Sequence, residues 1–292
     1  MRPRSNRIRS IVVTGLLALF GTLLVGGIWS GLLIANLATT PTIPWAVGAM
    51  ALLLWLAWQY FGGKWGPRHT SEARRHSLRA NPVSGRVFAQ ALLAGLLAIV
   101  ALVGLWIVMF QLVRAPGNAL PDFSRYPPLT VALVLVMASL VSSVAEEAGL
   151  RGYFQVALER ELGGPAAIVI SSLMISPGHG LTQGFVWTTL LFYFFADVTF
   201  GVTAYFTNSI LPGILVHGLG LMIFFTLVWP YDATRRLVWD GGADAWFWIH
   251  LAQVIVFTPL AILAFRRLAQ VTKHPSTVGA RPVLPTPDSI GP

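Results

Sequence analysis

The chain has 292 residues, 55% of them hydrophobic and only 11% charged; a water-soluble domain of this length carries about a quarter charged residues, so these values exclude one and specify an integral membrane protein. Twenty Lys and Arg against eleven Asp and Glu give a formal net charge of +9, yet no stripe of cations interleaved with aromatics marks a nucleic-acid face. Cysteine is absent, which excludes disulfides, thiolate nucleophiles and Cys-ligated metals and leaves carboxylates, histidines and hydroxyls to carry any chemistry.

Arg2, Arg4, Arg7 and Arg9 precede a first apolar segment at 10–36. It is longer than the roughly 7–15 residues of a signal-peptide core and closes without a small-residue cleavage site, so a retained helix is expected. Further segments of spanning length, about 17–25 residues, lie at about 43–62, 86–113, 129–160, 165–181, 184–206, 209–229 and 245–268. They predict an all-α polytopic membrane helix bundle of about eight transmembrane helices. The 63–86 loop holds Lys64, Arg68, Arg74, Arg75, Arg79 and Arg86, and the C-terminal end holds Arg266, Arg267, Lys273 and Arg281, whereas 37–42 and 182–184 carry no charge. The positive-inside rule then expects a multi-pass cell-membrane protein with both termini and the 63–86 loop in the cytoplasm. The cations are read as topology and contact with an anionic bilayer, with no nucleic-acid partner.

Trp45, Trp229, Tyr231, Trp246 and Trp248 fall near span ends and are expected to form an interfacial belt, with His250 beside them at the outer interface. His69 and His76 belong to the basic loop and are expected to be solvated. Residues 272–292, rich in Pro and poor in large apolar side chains, are expected to be a disordered cytoplasmic tail. The expected organisation is a basic N-terminus at 1–9, N-terminal transmembrane helices with the basic loop at 10–127, a helical core at 128–230, a last transmembrane helix at 231–271 and the tail at 272–292.

Chemistry concentrates in the stretch VLVMASLVSSVAEEAGLRGYF, residues 134–154. As one helix, 129–160 extends about 48 Å at 1.5 Å per residue, beyond the ~30 Å hydrocarbon core. Glu146, Glu147 and Arg151 sit deep in its second half, and an unpaired charge at midplane costs roughly 2.5–3.5 kcal/mol. They must therefore face a bundle interior. Glu147 and Arg151 are i,i+4 neighbours in the favoured acid-first order, while Glu146 lies about 100° around the helix. Arg151 is thus expected to hold Glu147 and leave Glu146 free as a candidate general base for water. An ion network that merely stabilises the helix explains the same three residues.

His179 and Glu147 are nearly equidistant from the turn at Gly163-Gly164, so antiparallel neighbours bring them to one height. Pro177 and Gly178 are expected to open the helix just before His179. His217 also lies inside an apolar span after a Pro-Gly pair. Asp197 is a further buried acid, either a site member, a group orienting a His, or a helix cap.

These residues resemble the CPBP family of intramembrane proteases, which includes the prenyl-protein (CAAX) endopeptidase Rce1 and bacteriocin-immunity membrane proteins. The family's Glu-Glu-x-x-x-Arg is met by Glu146, Glu147 and Arg151; its Phe-x-x-x-His by Ile175 and His179, with Ile in place of Phe. Its His-x-x-x-Asn/Asp is met by His217 but not at Leu221. The resemblance covers about 128–230.

It implies hydrolysis of a membrane-associated peptide or protein, prenylated or not, by a glutamate-activated water. Glu146 would be the base, His179 an oxyanion donor or metal ligand, His217 a water or metal ligand, and Glu147 with Arg151 the supporting pair. A divalent metal such as Zn on Glu146, His179 and His217 and a metal-free mechanism both stay open, because the His-Glu-x-x-His helix of recognisable zinc sites is missing. Leu221 opens the alternative of a degenerate relative that binds a membrane partner; Asn208 lies too near its helix start to be an obvious replacement donor, which leaves Ser172 and Gln183. A proton-coupled carrier is the third reading, but no internal symmetry supports it.

Overall fold

The computed structural model describes residues 4–114 and 121–272, apart from the side chains of 4–10, 181–183 and 233. Arg2, the side chains of Arg4, Arg7 and Arg9, that of Gln183 and the 273–292 tail lie outside the described residues.

Helix α1 (Arg4–Ala38) and α2 (Trp45–Phe61) are joined by a Pro-containing turn, and α2 stops at Gly62 and Gly63, the latter at φ 69°. A short α3 (Ser71–Ser77) lies in the basic loop. Ser84 caps α4 (Gly85–Leu112) by accepting the Val87 N–H at 3.4 Å. Pro128 starts α5 (Pro128–Glu146), which runs on through a π-helical stretch, Glu147–Phe154, into α6 (Gln155–Leu162). The expected single long helix is therefore present, with a π segment inside it. Gly163, at φ 80°, reverses the chain into α7 (Gly164–Gln183).

Pro177 does not open α7 as expected: the helix continues to Gly184. The ring removes its own N–H bond only, and beside it Ser176 Oγ donates to the Leu190 carbonyl of the next span at 2.5 Å, tying the two helices together. Helix α8 (Trp187–Thr207) ends at left-handed Asn208. Helix α9 (Leu211–Ile223) continues as a π turn, Phe224–Val228, and a 3-10 turn, Trp229–Thr234. A single turn, α10 (Val238–Gly241), precedes α11 (Ala245–Thr272).

All eight expected segments are helical. Among the described residues six helices are long and apolar enough to cross a membrane, and Trp45–Phe61 is a shorter apolar helix. The chain is an all-α polytopic membrane bundle. Its core centres on Trp106, which stacks on Phe110 at 4.4 Å and meets Phe192 edge-on at 4.7 Å. Leu16, Leu17, Phe20 and Leu24 of α1 stay exposed for lipid.

One end of the bundle carries the basic loop and the Gly163 turn. Arg79, at φ 57°, makes a bidentate pair with Glu159 and donates from Nε to Asn208 Oδ1 at 3.1 Å. Arg74 lies 4.6 Å from the Tyr60 ring centre and donates to the Trp65 carbonyl. Both arginines are buried, unlike the solvated His69 and His76. At the opposite end Tyr231, Trp246 and Trp248 are exposed as expected of a belt, but Trp229 and His250 are buried. Trp229 packs edge-on against Phe225 at 5.0 Å, and His250 pairs with the Trp246 carbonyl one turn earlier.

Candidate active site

The π segment decides which way the three charges of the long helix face. Glu147 and Arg151 fall inside it and Glu146 is the last residue before it; π turns frequently occur at functional sites. Glu147 is wholly buried and Arg151 is 2% exposed. Arg151 Nη1 lies 3.7 Å from Glu147 Oε1, and Nη2 makes a closer ion pair with Asp197 Oδ1 while also donating to the Asp197 carbonyl at 3.3 Å. The expected Glu147–Arg151 pair exists, but Asp197 is the stronger anchor of the cation. Asp197 therefore belongs to this cluster.

Glu146 is not free either: its Oε1 accepts from Ser142 Oγ, one turn earlier, at 2.7 Å. Its Oε2 lies 3.8 Å from His217 Nε2, beyond direct hydrogen-bond reach but within reach of a shared water. On the other side of the ring, His217 Nδ1 is 3.1 Å from Glu147 Oε1. An ionised carboxylate only accepts, so this contact puts a proton on Nδ1 and turns Nε2 towards Glu146. The His217 ring is held flat against Phe200, centroids 4.3 Å apart and planes within 10°.

Gly213 makes room for this arrangement. A Cβ there would stand 2.6 Å from Glu147 Oε2.

Glu146, His217, Asp197, Ser142 and His179 line one cavity of about 500 Å³, a volume in the ordinary range for a ligand site. Glu147 does not line it. The expected meeting of Glu147 with His179 is thus corrected, since the acid that shares the cavity with His179 is Glu146 and Glu147 is turned inward to Arg151 and His217. His179 itself stacks on Tyr193 with centroids 3.6 Å apart.

Leu221, one turn after His217, also lines the cavity as part of its apolar wall. Of the polar groups considered as replacements there, the two with described side chains, Asn208 and Ser172, do not take that place. Asn208 is engaged by Arg79 and Asn81 at the basic end, and Ser172 is buried away from the cavity lining.

Among the described residues no three His, Asp or Glu side chains gather as ligands for a metal ion. Glu146, His179 and His217 share the cavity without converging closely enough to form such a group. The donor set does not fit a metal centre.

Sequence reasoning missed Ser142 and Tyr193. Ser142 was signalled by its i,i+4 spacing to Glu146; Tyr193, one of several aromatics in FYFFAD, carried no signal of its own.

Residues 128–223 match the family model described as type II CAAX prenyl endopeptidase Rce1-like. The match spans α5 to α9, and hence every residue of the cluster, and leaves α1, α2, α4 and α11 outside. No curated protein and no solved structure matches the chain. Through residues 128–223, about a third of its length, the chain is similar to the CPBP/CAAX protease family.

Proposed function

We propose that this protein is an intramembrane endopeptidase that hydrolyses a membrane-associated peptide or protein, prenylated or not, with a water activated by Glu146. The observation that carries the reading is the pairing of Glu146 and His217 Nε2 across 3.8 Å at one end of the cavity. A water between them gives a proton to Glu146 as its oxygen attacks the scissile carbonyl carbon. The tetrahedral oxyanion that results accepts a hydrogen bond from the imidazole of His179. Glu146 then returns the proton to the leaving amine as the C–N bond breaks.

Glu147 touches no substrate in this scheme. It fixes the tautomer and direction of His217, and Arg151 holds Glu147 against Asp197. These three are positioning residues.

The distribution of Lys and Arg supports cytoplasmic termini. Turnover of peptide substrates by purified protein in lipid tests the activity, with Glu146→Gln and His217→Ala as paired variants. Loss of cleavage in both is expected, and unchanged cleavage in either removes that residue from the mechanism.

One observation favours a second reading, in which the fold binds a membrane partner without cleaving it. Leu221 presents an apolar wall where the resemblance calls for Asn or Asp. Absence of turnover in the native chain, together with its appearance in Leu221→Asn, would establish that reading.

A further inference from the structure

We infer that the site is reached from the end of the bundle opposite the basic loop, so that its substrate is a peptide segment with apolar side chains presented on the non-cytoplasmic side of the membrane. The inference rests on the peptidase reading for the word substrate, but its geometry is independent of catalysis.

The cavity has a direction. Along α1 its lining runs from Thr22 to Ile34, close to the helix end at Ala38, and along α9 from His217 to Trp229, close to the end of that span. Twelve residues of helix rise about 18 Å. Pro121, in the connection between α4 and α5 at that same end, also lines it. Glu146, Asp197 and His217 form the other, inner limit.

Beyond that limit the bundle is closed. No residue of Glu147–Leu162 and none of the 62–84 connection lines the cavity. Ala148, Leu150, Phe154 and Leu158 are at most 2% exposed, as are Gln155 and Ile210. The basic loop is pressed onto this plug: a Cβ on Gly152 would stand 2.9 Å from the Leu78 carbonyl oxygen, and one on Gly149 3.0 Å from Thr22 Oγ1 of α1. Among the described residues, those between Glu146 and the basic end are packed and do not line the cavity. With Lys and Arg concentrated at that end, it is the cytoplasmic one, and access is from the other face.

The walls state what kind of chain fits. Leu23, Leu33, Ile99, Leu102 and Phe225 make them largely apolar; Ser30 is a polar group on the α1 wall, and the charged and imidazole groups converge at the inner limit. Nothing lies within 4 Å of a Cβ built on Gly26 or Gly27, so α1 offers a bare strip along which an extended backbone can lie. At about 3.3 Å per residue an 18 Å cavity takes about five residues.

The Cys-free chain permits a direct test. Single substitutions Ala196→Cys, beside Asp197, and Ser30→Cys, on the α1 wall, are compared with two exposed markers, Thr40→Cys at the opposite end and Ser84→Cys at the basic end. A charged, membrane-impermeant thiosulfonate is added to intact cells or to inverted vesicles, with total thiol counted after denaturation. The expected result is that Ala196→Cys and Ser30→Cys label with Thr40→Cys in intact cells, whereas Ser84→Cys labels only in inverted vesicles. Labelling of Ala196→Cys together with Ser84→Cys overturns the access route, and so does its protection from both sides. If the two markers exchange sides, the assignment of faces is overturned while the route is still read from the marker that Ala196→Cys follows. A chain that labels as expected but cleaves nothing defeats the peptidase reading alone.

Discussion

Glu146 and Glu147 are adjacent carboxylates with opposite surroundings. One touches a serine hydroxyl and the cavity; the other is sealed between a guanidinium and an imidazole. Substituting them should therefore fail in different ways. Glu146→Gln keeps the shape and removes the base, so kcat should drop about 10²–10⁴-fold with KM nearly unchanged and the melting temperature retained; a raised KM with intact kcat would assign Glu146 to binding. Asp197→Asn leaves Arg151 with the longer contact to Glu147 as its ion pair and with the bond to the residue 197 carbonyl, and breaking a buried pair costs about 3–5 kcal/mol. Thermal unfolding in detergent should register that loss. A variant as stable as the parent would show that Asp197 is not the anchor. Leu221→Asn places a donor on the cavity wall one turn from His217; since one oxyanion donor is worth about 10²–10³ in turnover, kcat should rise, and an unchanged rate would dismiss this position. Glu147 and Arg151 were readable as a pair because i,i+4 spacing is a local property of a helix. Asp197 was not, because its partner is 46 residues away and only tertiary structure sets that distance.

At the scale of elements, the eight helices were legible because apolar length and Pro or Gly punctuation are local quantities. Two departures came from interactions that such patterns do not encode. Pro177 reads as a break, but α7 runs on through it, packed against α8 with Ser176 bonded to the Leu190 carbonyl. The π stretch at Glu147–Phe154 has no periodicity signature, and it changes the angle between successive side chains enough to make an even-rotation argument fail. That is why the height match between Glu147 and His179 named the wrong acid. The junction of α9 with this stretch is its most sensitive contact: Gly213→Ala would force a methyl to within 2.6 Å of Glu147 Oε2. Displacing Glu147 turns His217, so this substitution should lower kcat more than it lowers stability. Equal losses in both would mean that Gly213 serves close helix contact alone.

For the whole molecule, composition was enough to give solvent and class, and the cations gave an expected orientation; the course of the cavity was not legible, since it arises from packing among α1, α4, α5, α7, α8 and α9. The same packing leaves no convergent metal donors among the described residues. Cleavage should therefore survive strong chelators, and loss that Zn²⁺ restores would require a rearranged donor set.

The split partnership of Arg151 also has a consequence for how the protein is made. The arginine leaves the ribosome with Glu147 four residues ahead of it, but Asp197 follows only after 46 more residues, roughly 2–9 s of synthesis at about 5–20 residues per second. For that interval the span carries Arg151 into the bilayer without its closer ion-pair partner, held only by the longer contact to Glu147. Its lateral release from the insertion machinery should wait for α8, so truncations ending before residue 197 should remain bound to the translocon or be degraded, whereas those ending beyond it should be released.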